Sequence, residues 1–328
     1  MIRFGVIGTS WITHAFIKGA SNIKDFKLSA IYSRDLEKAK EFGKIYDEIT
    51  YFTSLEEMAQ SDVIDAVYIA SPNSLHCEQS ILFLKNKKHV ICEKAFASNS
   101  MEVESMIKEA IKNNVVLMEA LKSHFLPNFK VIEENIYKLG KIRRYLGNYC
   151  QYSSRYDTYK SGTRVNTFDA SFSNGSIMDI GIYCVHPMVK LFGVPKQITA
   201  SAYLLKSGVD GEGSVIAKYD DMDAVIMHSK IAYSYSPSEI QGENGTMIID
   251  KIGSPENIEI IYRNGEREVL TVPQIEDNMF YEAEEFINLI NEGKIQSQVN
   301  SHEHSLNVMN VVDEIRSQTG VKFPADTK

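Results

Sequence analysis

Ile2-Arg3-Phe4-Gly5-Val6-Ile7-Gly8-Thr9-Ser10-Trp11 is the stretch on which the fold turns. A run of mostly apolar residues ends at Gly8, and Trp11–Ala20 then carries apolar residues at helical spacing. A strand that turns at glycine straight into a helix is the setting in which such a turn binds a dinucleotide. The helix N-terminus offers free N–H groups and the positive end of its dipole to a pyrophosphate. The full fingerprint is G-x-G-x-x-G/A. Here it reads Gly8-Thr9-Ser10-Trp11-Ile12-Thr13, so only the first glycine is present. Ser10 adds a Cβ and a hydroxyl where backbone usually lies bare against the phosphates. Thr13 stands where close helix–sheet packing favours Gly or Ala. Alone, the turn reads equally well as an ordinary strand-to-helix connection.

The residues that follow remove that ambiguity. Strand-like runs at Lys27–Tyr32, Ile49–Phe52, Asp65–Ala70, His89–Cys92 and Val115–Glu119 alternate with helical patterns at Leu36–Phe42, Ser54–Gln60, Ser74–Leu84 and Ser100–Asn113. Such alternation predicts βαβ units and a doubly wound parallel sheet of Rossmann type. Near Lys122–Pro127 the pattern changes. A helix across 128–139 leads into strands at Arg143–Tyr152, Gln197–Leu205, Ser214–Tyr219, Ala224–Ile231, Thr246–Asp250 and Ile258–Tyr262. Turns are expected at Gly208–Gly213, Asp220-Asp221 and Asn264-Gly265. One helix is expected at Ser176–Phe192, and two near the end, at Phe280–Asn291 and Ser301–Thr319. The expected architecture is α/β: a dinucleotide-binding domain over residues 1–121, then an α+β domain over 122–328 with a large, mainly antiparallel open sheet. That second domain is expected to bind substrate and, through its uncovered sheet face, to form a homo-oligomer, a dimer or tetramer.

A chain of 328 residues, 44% hydrophobic and 24% charged, suits two globular domains. The net charge of −8 and the lack of a basic cluster beyond Lys85–Lys88 argue against a nucleic-acid partner. No apolar stretch approaches the ~18–20 residues that span a bilayer, so no membrane partner is expected. The N-terminus has no signal-peptide pattern, and the four scattered cysteines read as reduced thiols. The expected location is cytoplasmic. No metal site is expected, and His302 and His304, which flank Glu303, read as part of a polar helix start.

The second strand ends at Ser33-Arg34, where NAD enzymes usually place an acidic ribose ligand. A hydroxyl and a guanidinium suit a 2′-phosphate instead, which favours NADP(H) over NAD(H). Asp35 reads as the N-cap of the next helix. Two more loops follow strand ends, where ligands of open α/β sheets bind: Ser71-Pro72-Asn73-Ser74-Leu75-His76, and Glu93-Lys94-Ala95. The expected cofactor contacts are therefore Gly8, Thr9, Ser10, Trp11, Ile12, Ser33, Arg34, Ser71, Pro72, Asn73, His76, Glu93 and Lys94. Within that set, His76 reads more as a packing or capping residue than as a chemical one.

At these loops, and at Met118-Glu119-Ala120 with Pro127 and Asp179-Ile180-Gly181-Ile182-Tyr183, the chain resembles the Gfo/Idh/MocA family (glucose–fructose oxidoreductase, inositol dehydrogenase and relatives). The resemblance runs from Gly5 to about Leu289. It implies an N-terminal Rossmann domain, a C-terminal domain on an open sheet, and hydride transfer with NAD(P). It also implies that Lys94 is the active-site lysine, although Ala95 replaces the proline of the family's Glu-Lys-Pro. Asp179 and Tyr183 fall on the family's Asp-x-Gly-x-Tyr/His. The tyrosine version is most similar to the dihydrodiol dehydrogenase and glucose–fructose oxidoreductase branch. Where many members carry an arginine before Pro127, this chain has His124, so that role is not carried over.

The chemistry needs such residues on its own terms. Hydride transfer from an alcohol carbon requires a partner for the hydroxyl proton and a fixed geometry. Tyr183 can exchange the proton if a nearby ammonium stabilises its phenolate, and Lys94 is expected to supply that charge and bind the substrate oxygen. Lys94 as the direct acid/base remains open. Asp179, one turn before Tyr183, would orient Lys94 or a substrate hydroxyl. Structural roles compete: a surface lysine, a core tyrosine, a helix-start aspartate, and a packed His186. The polar, aromatic segment Arg155–Asn174 reads as a cover over the substrate or as an exposed connection. The leading function is an NAD(P)-dependent oxidoreductase acting on a sugar, polyol, diol or related hydroxy/keto compound. The alternative is a catalytically silent NAD(P)-binding sensor.

Overall fold

The alternation of strand and helix in the first third builds a six-stranded sheet in the computed structural model, which describes residues 1–327. Its strands are β1 (Ile2–Ile7), β2 (Phe26–Tyr32), β3 (Thr50–Phe52), β4 (Ala66–Ile69), β5 (His89–Glu93) and β6 (Leu117–Ala120). All pair in parallel, in the order β3-β2-β1-β4-β5-β6. Strand order reverses between β1 and β4, so their carboxyl ends border the crevice where doubly wound sheets take ligands. β4 is buried along its whole length, as a parallel strand covered on both faces must be. Sequence-local caps start the helices: Asp35 accepts from Glu37 and Lys38 N–H, Ser54 from Glu57 N–H, and Asn99 from Glu102 N–H.

The chain divides into two compact units, one of Met1–Lys122 with Ile275–Ser305, the other of Ser123–Gln274 with Leu306 onward. A single cut at residue 121 therefore understates the connectivity. The helix Phe280–Asn291 has the expected extent but belongs to the first unit. The physical reason lies in what the first sheet leaves uncovered. Phe286 joins the Phe4 ring at 5.8 Å, Leu117 N–H donates to Ile295 O at 3.2 Å, and His302 Nε2 lies 2.9 Å from Leu117 O. Gly19 lets the two helices touch, since a Cβ there would lie 2.7 Å from Phe280 N. No described helix is long and apolar enough to cross a membrane.

The second unit holds an eight-stranded sheet: β7 (Ile142–Cys150), β8 (Gln197–Leu204), β9 (Asp210–Lys218), β10 (Asp223–Ser229), β11 (Ser238–Gly242), β12 (Gly245–Ile249), β13 (Ile258–Tyr262) and β14 (Arg267–Val269). The order is β14-β13-β12-β11-β7-β10-β9-β8, and every pair is antiparallel except β7 with β10. The short β11 and β14 were not anticipated. The expected turn at Gly208–Gly213 is shorter than that, because β9 begins at Asp210. Gly211 and Gly213 serve as strand residues beside close neighbours: a Cβ on Gly213 would lie 2.8 Å from the His228 ring.

One segment dominates the inner face of this sheet. Ile177–Gly181 winds as a π-helical turn and continues as the α-helix Ile182–Phe192, so the single helix expected from Ser176 has two windings. The segment reaches the sheet where side chains are missing. A Cβ on Gly147 would lie 3.0 Å from Cys184 Cβ and 2.9 Å from the Tyr145 hydroxyl. Tyr145 in turn donates to Cys184 O at 3.0 Å. Gly147→Val therefore overpacks this contact and is expected to lower stability by about 1–3 kcal/mol in urea unfolding. NADPH affinity, a property of the first unit, should be unchanged in the same protein.

Candidate active site

The residues expected to contact the cofactor stand at the strand ends of the first unit. Gly8 has φ +104°, and a Cβ there would lie 2.5 Å from Ala70 O, so only glycine fits. Thr9 and Ser10 are exposed, and the Ser10 hydroxyl makes no capping bond to the helix. Trp11 is 76% exposed, and Ile12 is half-buried. The first turn of the helix thus lies at the surface with no side-chain cap at Ser10, the setting in which a helix N-terminus can meet an anion. Thr13 is fully buried with its hydroxyl unpartnered, so the helix start tolerates a larger residue than Gly or Ala at a polar cost. At the end of β2, the Ser33 hydroxyl accepts the Asp35 N–H at 3.2 Å and Arg34 is exposed. The turn and Arg34 together fit a dinucleotide with a phosphate on its ribose.

The next two loops are fastened to each other. Ser71 donates to Gln79 Oε1 at 2.7 Å, Pro72 is half-buried, and Asn73 is buried in the short 3-10 turn that follows. His76 is fully buried, with its ring nitrogens 2.8 Å from Ser71 O and 2.9 Å from Ala95 O. Two carbonyl acceptors favour the protonated ring, but burial outweighs them and lowers its pKa. His76 thus holds the Lys94 loop against the Ser71 loop. The Lys94–Ala95 peptide is cis, and Lys94 is half-buried.

Behind Lys94 lies a buried acidic pair that the sequence did not reveal. Tyr68, stacked on Phe16 at 3.9 Å, donates to Glu93 Oε1 at 2.7 Å. Glu282 is fully buried, and neither of its carboxyl oxygens has a hydrogen-bond partner. Burial raises the Glu93 pKa, against the hydrogen bond from Tyr68 and the charges of Lys94 and Lys122. Burial and the Glu93 charge push Glu282 well up, with Lys122 opposing. Glu282 is therefore the member that keeps its proton.

Asp179 and Tyr183, expected to orient the substrate or Lys94 and to exchange the proton, both lie in the second unit on the segment described above. From Gly175 to Val189 every residue is buried except Asp179 and Tyr183, which are half-buried. They are four apart along one helical face, so a helix enclosed nearly all round opens at these two polar positions. The π-helical turn, closed by Ile182 N–H on Ile177 O, carries Asp179. Pro187 lacks the N–H that would bond Tyr183 O in an α-helix. The Tyr183 ring lies 5.7 Å from Tyr149. Gly253 makes room for both rings, since a Cβ there would be 3.0 Å from Tyr149 and 3.3 Å from Tyr183. His186 is fully buried, edge-on to His124 at 5.4 Å, so it packs as expected.

Two further residues support this segment, and neither belongs to a motif. Asp210 is buried and accepts the Ile177 N–H at 2.6 Å, capping the helix start. Burial lifts its pKa to about 6 and pushes His228 down to about 3. At neutral pH Asp210 is the carboxylate and His228 is uncharged, so their 3.7 Å approach is no ion pair. His228 Nδ1 instead meets the Ser176 hydroxyl at 2.9 Å. Lys230, just past β10, is 6% exposed and ion-paired with Asp179. The only sequence signal for it is a lysine directly after an alternating strand. The segment Arg155–Asn174 spends its aromatic residues on a small core of Phe168 with Leu205 and Val209. It walls a cavity of about 730 Å³ lined by Tyr156, Tyr159, Arg164, Tyr203 and Lys206 among others.

The state of Glu282 is open to measurement. Its folded pKa is raised above the unfolded value, so its contribution to stability is full below about pH 4.3 and is lost as pH rises. Glu282→Gln removes that loss. In urea unfolding, the stability of the variant relative to wild type should grow by about 1.4 kcal/mol per pH unit above pH 5. A gap independent of pH would show that Glu282 is ionised in the folded protein.

Residues 2–121 match the oxidoreductase family described as GFO/IDH/MocA with an NAD-binding Rossmann fold, and residues 136–248 match the GFO/IDH/MocA C-terminal domain. The chain is 54% identical over 326 residues to the scyllo-inositol 2-dehydrogenase (NADP(+)) IolU of Bacillus subtilis, covering 99% of each. It is 30% identical over 340 residues to trans-1,2-dihydrobenzene-1,2-diol dehydrogenase of Xenopus laevis, covering 98% of this chain and 99% of that one. Among solved structures, KijD10, a 3-ketoreductase from Actinomadura kijaniata in complex with NADP and TDP-benzene, superposes with a TM-score of 0.86. It is 21% identical, over 97% of this chain and 98% of that one, a likeness of fold. With both halves matched and a full-length relative above half identity, the chain belongs to the Gfo/Idh/MocA family of oxidoreductases.

Proposed function

We propose that this NAD(P)-dependent oxidoreductase transfers a hydride between NADP(H) and a hydroxyl-bearing carbon of a polyol or diol, with Tyr183 exchanging the hydroxyl proton. The observation that carries the assignment is the enclosed helix whose two openings are Asp179 and Tyr183. A sensor without turnover has no use for two polar openings in an otherwise buried helix. The relatives support the substrate class and the cofactor: one at 54% identity is an NADP(+)-dependent inositol dehydrogenase, and others are diol dehydrogenases.

The bound nicotinamide supplies the hydride donor or acceptor carbon. The uncapped start of the helix at Trp11 and Ile12 holds the pyrophosphate, and Gly8 lets the backbone approach it. Arg34 and Ser33 hold the 2′-phosphate. Lys94 binds the substrate oxygen and favours its anionic form. Tyr183 takes the proton when the alcohol is oxidised and returns it when the ketone is reduced. Asp179 orients a substrate hydroxyl.

The outer face of the eight-stranded sheet supports a homo-oligomer. The register places Thr199, Ile216, Val225, Leu146, Glu239, Ile248, Glu259 and Val269 in one row across the strands. None is buried, and Ile216 is 45% and Val269 74% exposed. A row this apolar favours cover by a second copy. The four free cysteines support placement in the reducing cytoplasm.

Lys94→Met is expected to cut turnover about a hundredfold or more while NADPH binding, followed by fluorescence, stays at the wild-type value. Near-wild-type turnover would remove Lys94 from the reaction. Light scattering on the purified protein should give a dimer or larger species, and Ile216→Glu with Val225→Glu should yield monomer. A monomeric wild type would refute the interface.

A further inference from the structure

Residues 156–169 and residues 203–207, at the end of the edge strand β8, wall a cavity of about 730 Å³. That volume lies in the range of small-molecule sites. Asp179, Tyr183 and Lys230 take no part in its lining, so it stands apart from the polar openings of the helix. The Tyr156 and Tyr159 rings pack on Phe168 at 5.5 and 5.3 Å. They lie nearly parallel to each other, 14° apart at 6.1 Å. Tyr203 adds a third tyrosine, 60% exposed. A wall of tyrosines offers flat apolar faces with polar tips, which suits a ring.

The charge of the lining runs against that of the chain. Lys160, Arg164 and Lys206 line the cavity with a single carboxylate, Asp169, in a protein of net charge −8. Two of these cations are already answered: Lys160 pairs with Asp157 at 2.7 Å, and Arg164 pairs with Asp169. Lys206 is exposed and meets no carboxylate among the described residues. Next to it, the Ser207 hydroxyl is buried and has no hydrogen-bond partner. Ser207 N–H donates to the Tyr159 hydroxyl at 3.2 Å, which leaves the phenol proton of Tyr159 to donate elsewhere. The unspent groups are thus one ammonium and two hydroxyls, all of them donors. What the cavity lacks is an acceptor, and a charged oxygen is the acceptor such donors hold most strongly.

We infer that this cavity binds a small organic oxyanion, a carboxylate or phosphate ester carried on a flat ring. The ring packs against Tyr156, Tyr159 and Phe168, and the anionic oxygens accept from Lys206, Ser207 and Tyr159. A segment that served only as a connection would gain nothing by stranding a hydroxyl out of reach of water, because a buried donor without a partner is a cost. A ligand oxygen removes that cost. Neither half of the site is selective alone: tyrosines hold many rings, and one surface lysine holds any anion weakly. Joined in one cavity, they favour a molecule that has both. The inference stands independently of the hydride-transfer assignment.

Calorimetry on protein saturated with NADP⁺, so that the cofactor site is filled, tests this with four probes. Phenyl phosphate and benzoate are the two kinds of ring-bearing oxyanion, phenol is the ring alone, and inorganic phosphate is the anion alone. At least one ring-bearing oxyanion is expected to bind one to one, about tenfold or more tighter than phenol or inorganic phosphate. Lys206→Glu and Ser207→Ala should each weaken that binding about tenfold, and Lys206→Arg should keep it. NADP⁺ affinity should be unchanged in all three variants. Lys206→Met takes the place of the charge reversal if that variant fails to fold. Three results would overturn the inference: no saturable binding of either oxyanion, phenol or inorganic phosphate binding as tightly as both, or wild-type affinity after loss of the Lys206 charge.

Discussion

The contact between the Ile177–Phe192 segment and its sheet constrains the second unit more than any other. It exists because side chains are absent where the two backbones meet, at Gly147 on the strand and Gly181 on the helix. Once the helix lies that close, nearly all its surface is used in packing, and its polar residues must cluster where packing stops. Asp210 makes the arrangement possible by closing the helix start from within the core, as a carboxylate that accepts the Ile177 N–H. The π-helical turn and Pro187 then bracket Tyr183, loosening the backbone hydrogen bonding on both sides of it.

The first unit works by a different economy of charge. Its cofactor turn depends on one glycine lying against Ala70 O. Its lysine loop lies beside two carboxyl groups whose pKa values burial raises. Glu93 and Glu282 are buried beside the half-buried Lys122, and Tyr68 donates to Glu93. Burial and the Glu93 charge both favour the protonated form of Glu282, which lessens the repulsion between the two carboxyl groups. The loop that carries Lys94 is thus met by the His76 ring at Ala95 O on one side and by this acidic pair on the other.

Much of this was legible in the sequence, and the parts that were not share a cause. The parallel sheet could be read because strand and helix alternate with short loops, and the helices at Ser100–Asn113 and Phe280–Asn291 have the expected bounds. Lys94, Asp179 and Tyr183 stand at a strand end and on an apolar helix, both visible as patterns. Asp35 caps its helix as its position before Leu36 suggested. Lys230, Glu282, Asp210 and Gly147 had no such signal, because their roles come from residues distant in sequence. A buried carboxyl cannot be told from a solvated one by spacing, and a strand glycine reads as a turn until its neighbour across the sheet is known. Gly211 and Gly213 show this directly: they were placed in a turn and instead lie in β9.

The return of Ile275–Ser305 to the first unit has a consequence for how the protein is made. The edge strand β6 finds a hydrogen-bond partner in Ile295, and the phenylalanine cluster around Phe4 is completed by Phe286. Both come from the last sixth of the chain. During synthesis, the nucleotide-binding half therefore emerges first but lacks part of its core until translation is nearly finished. Until then its sheet edge and aromatic cluster stay uncovered, the kind of surface through which unfinished chains associate wrongly. Residues 1–121 cut out as a separate piece would keep the cofactor turn and lose the cover that keeps it soluble.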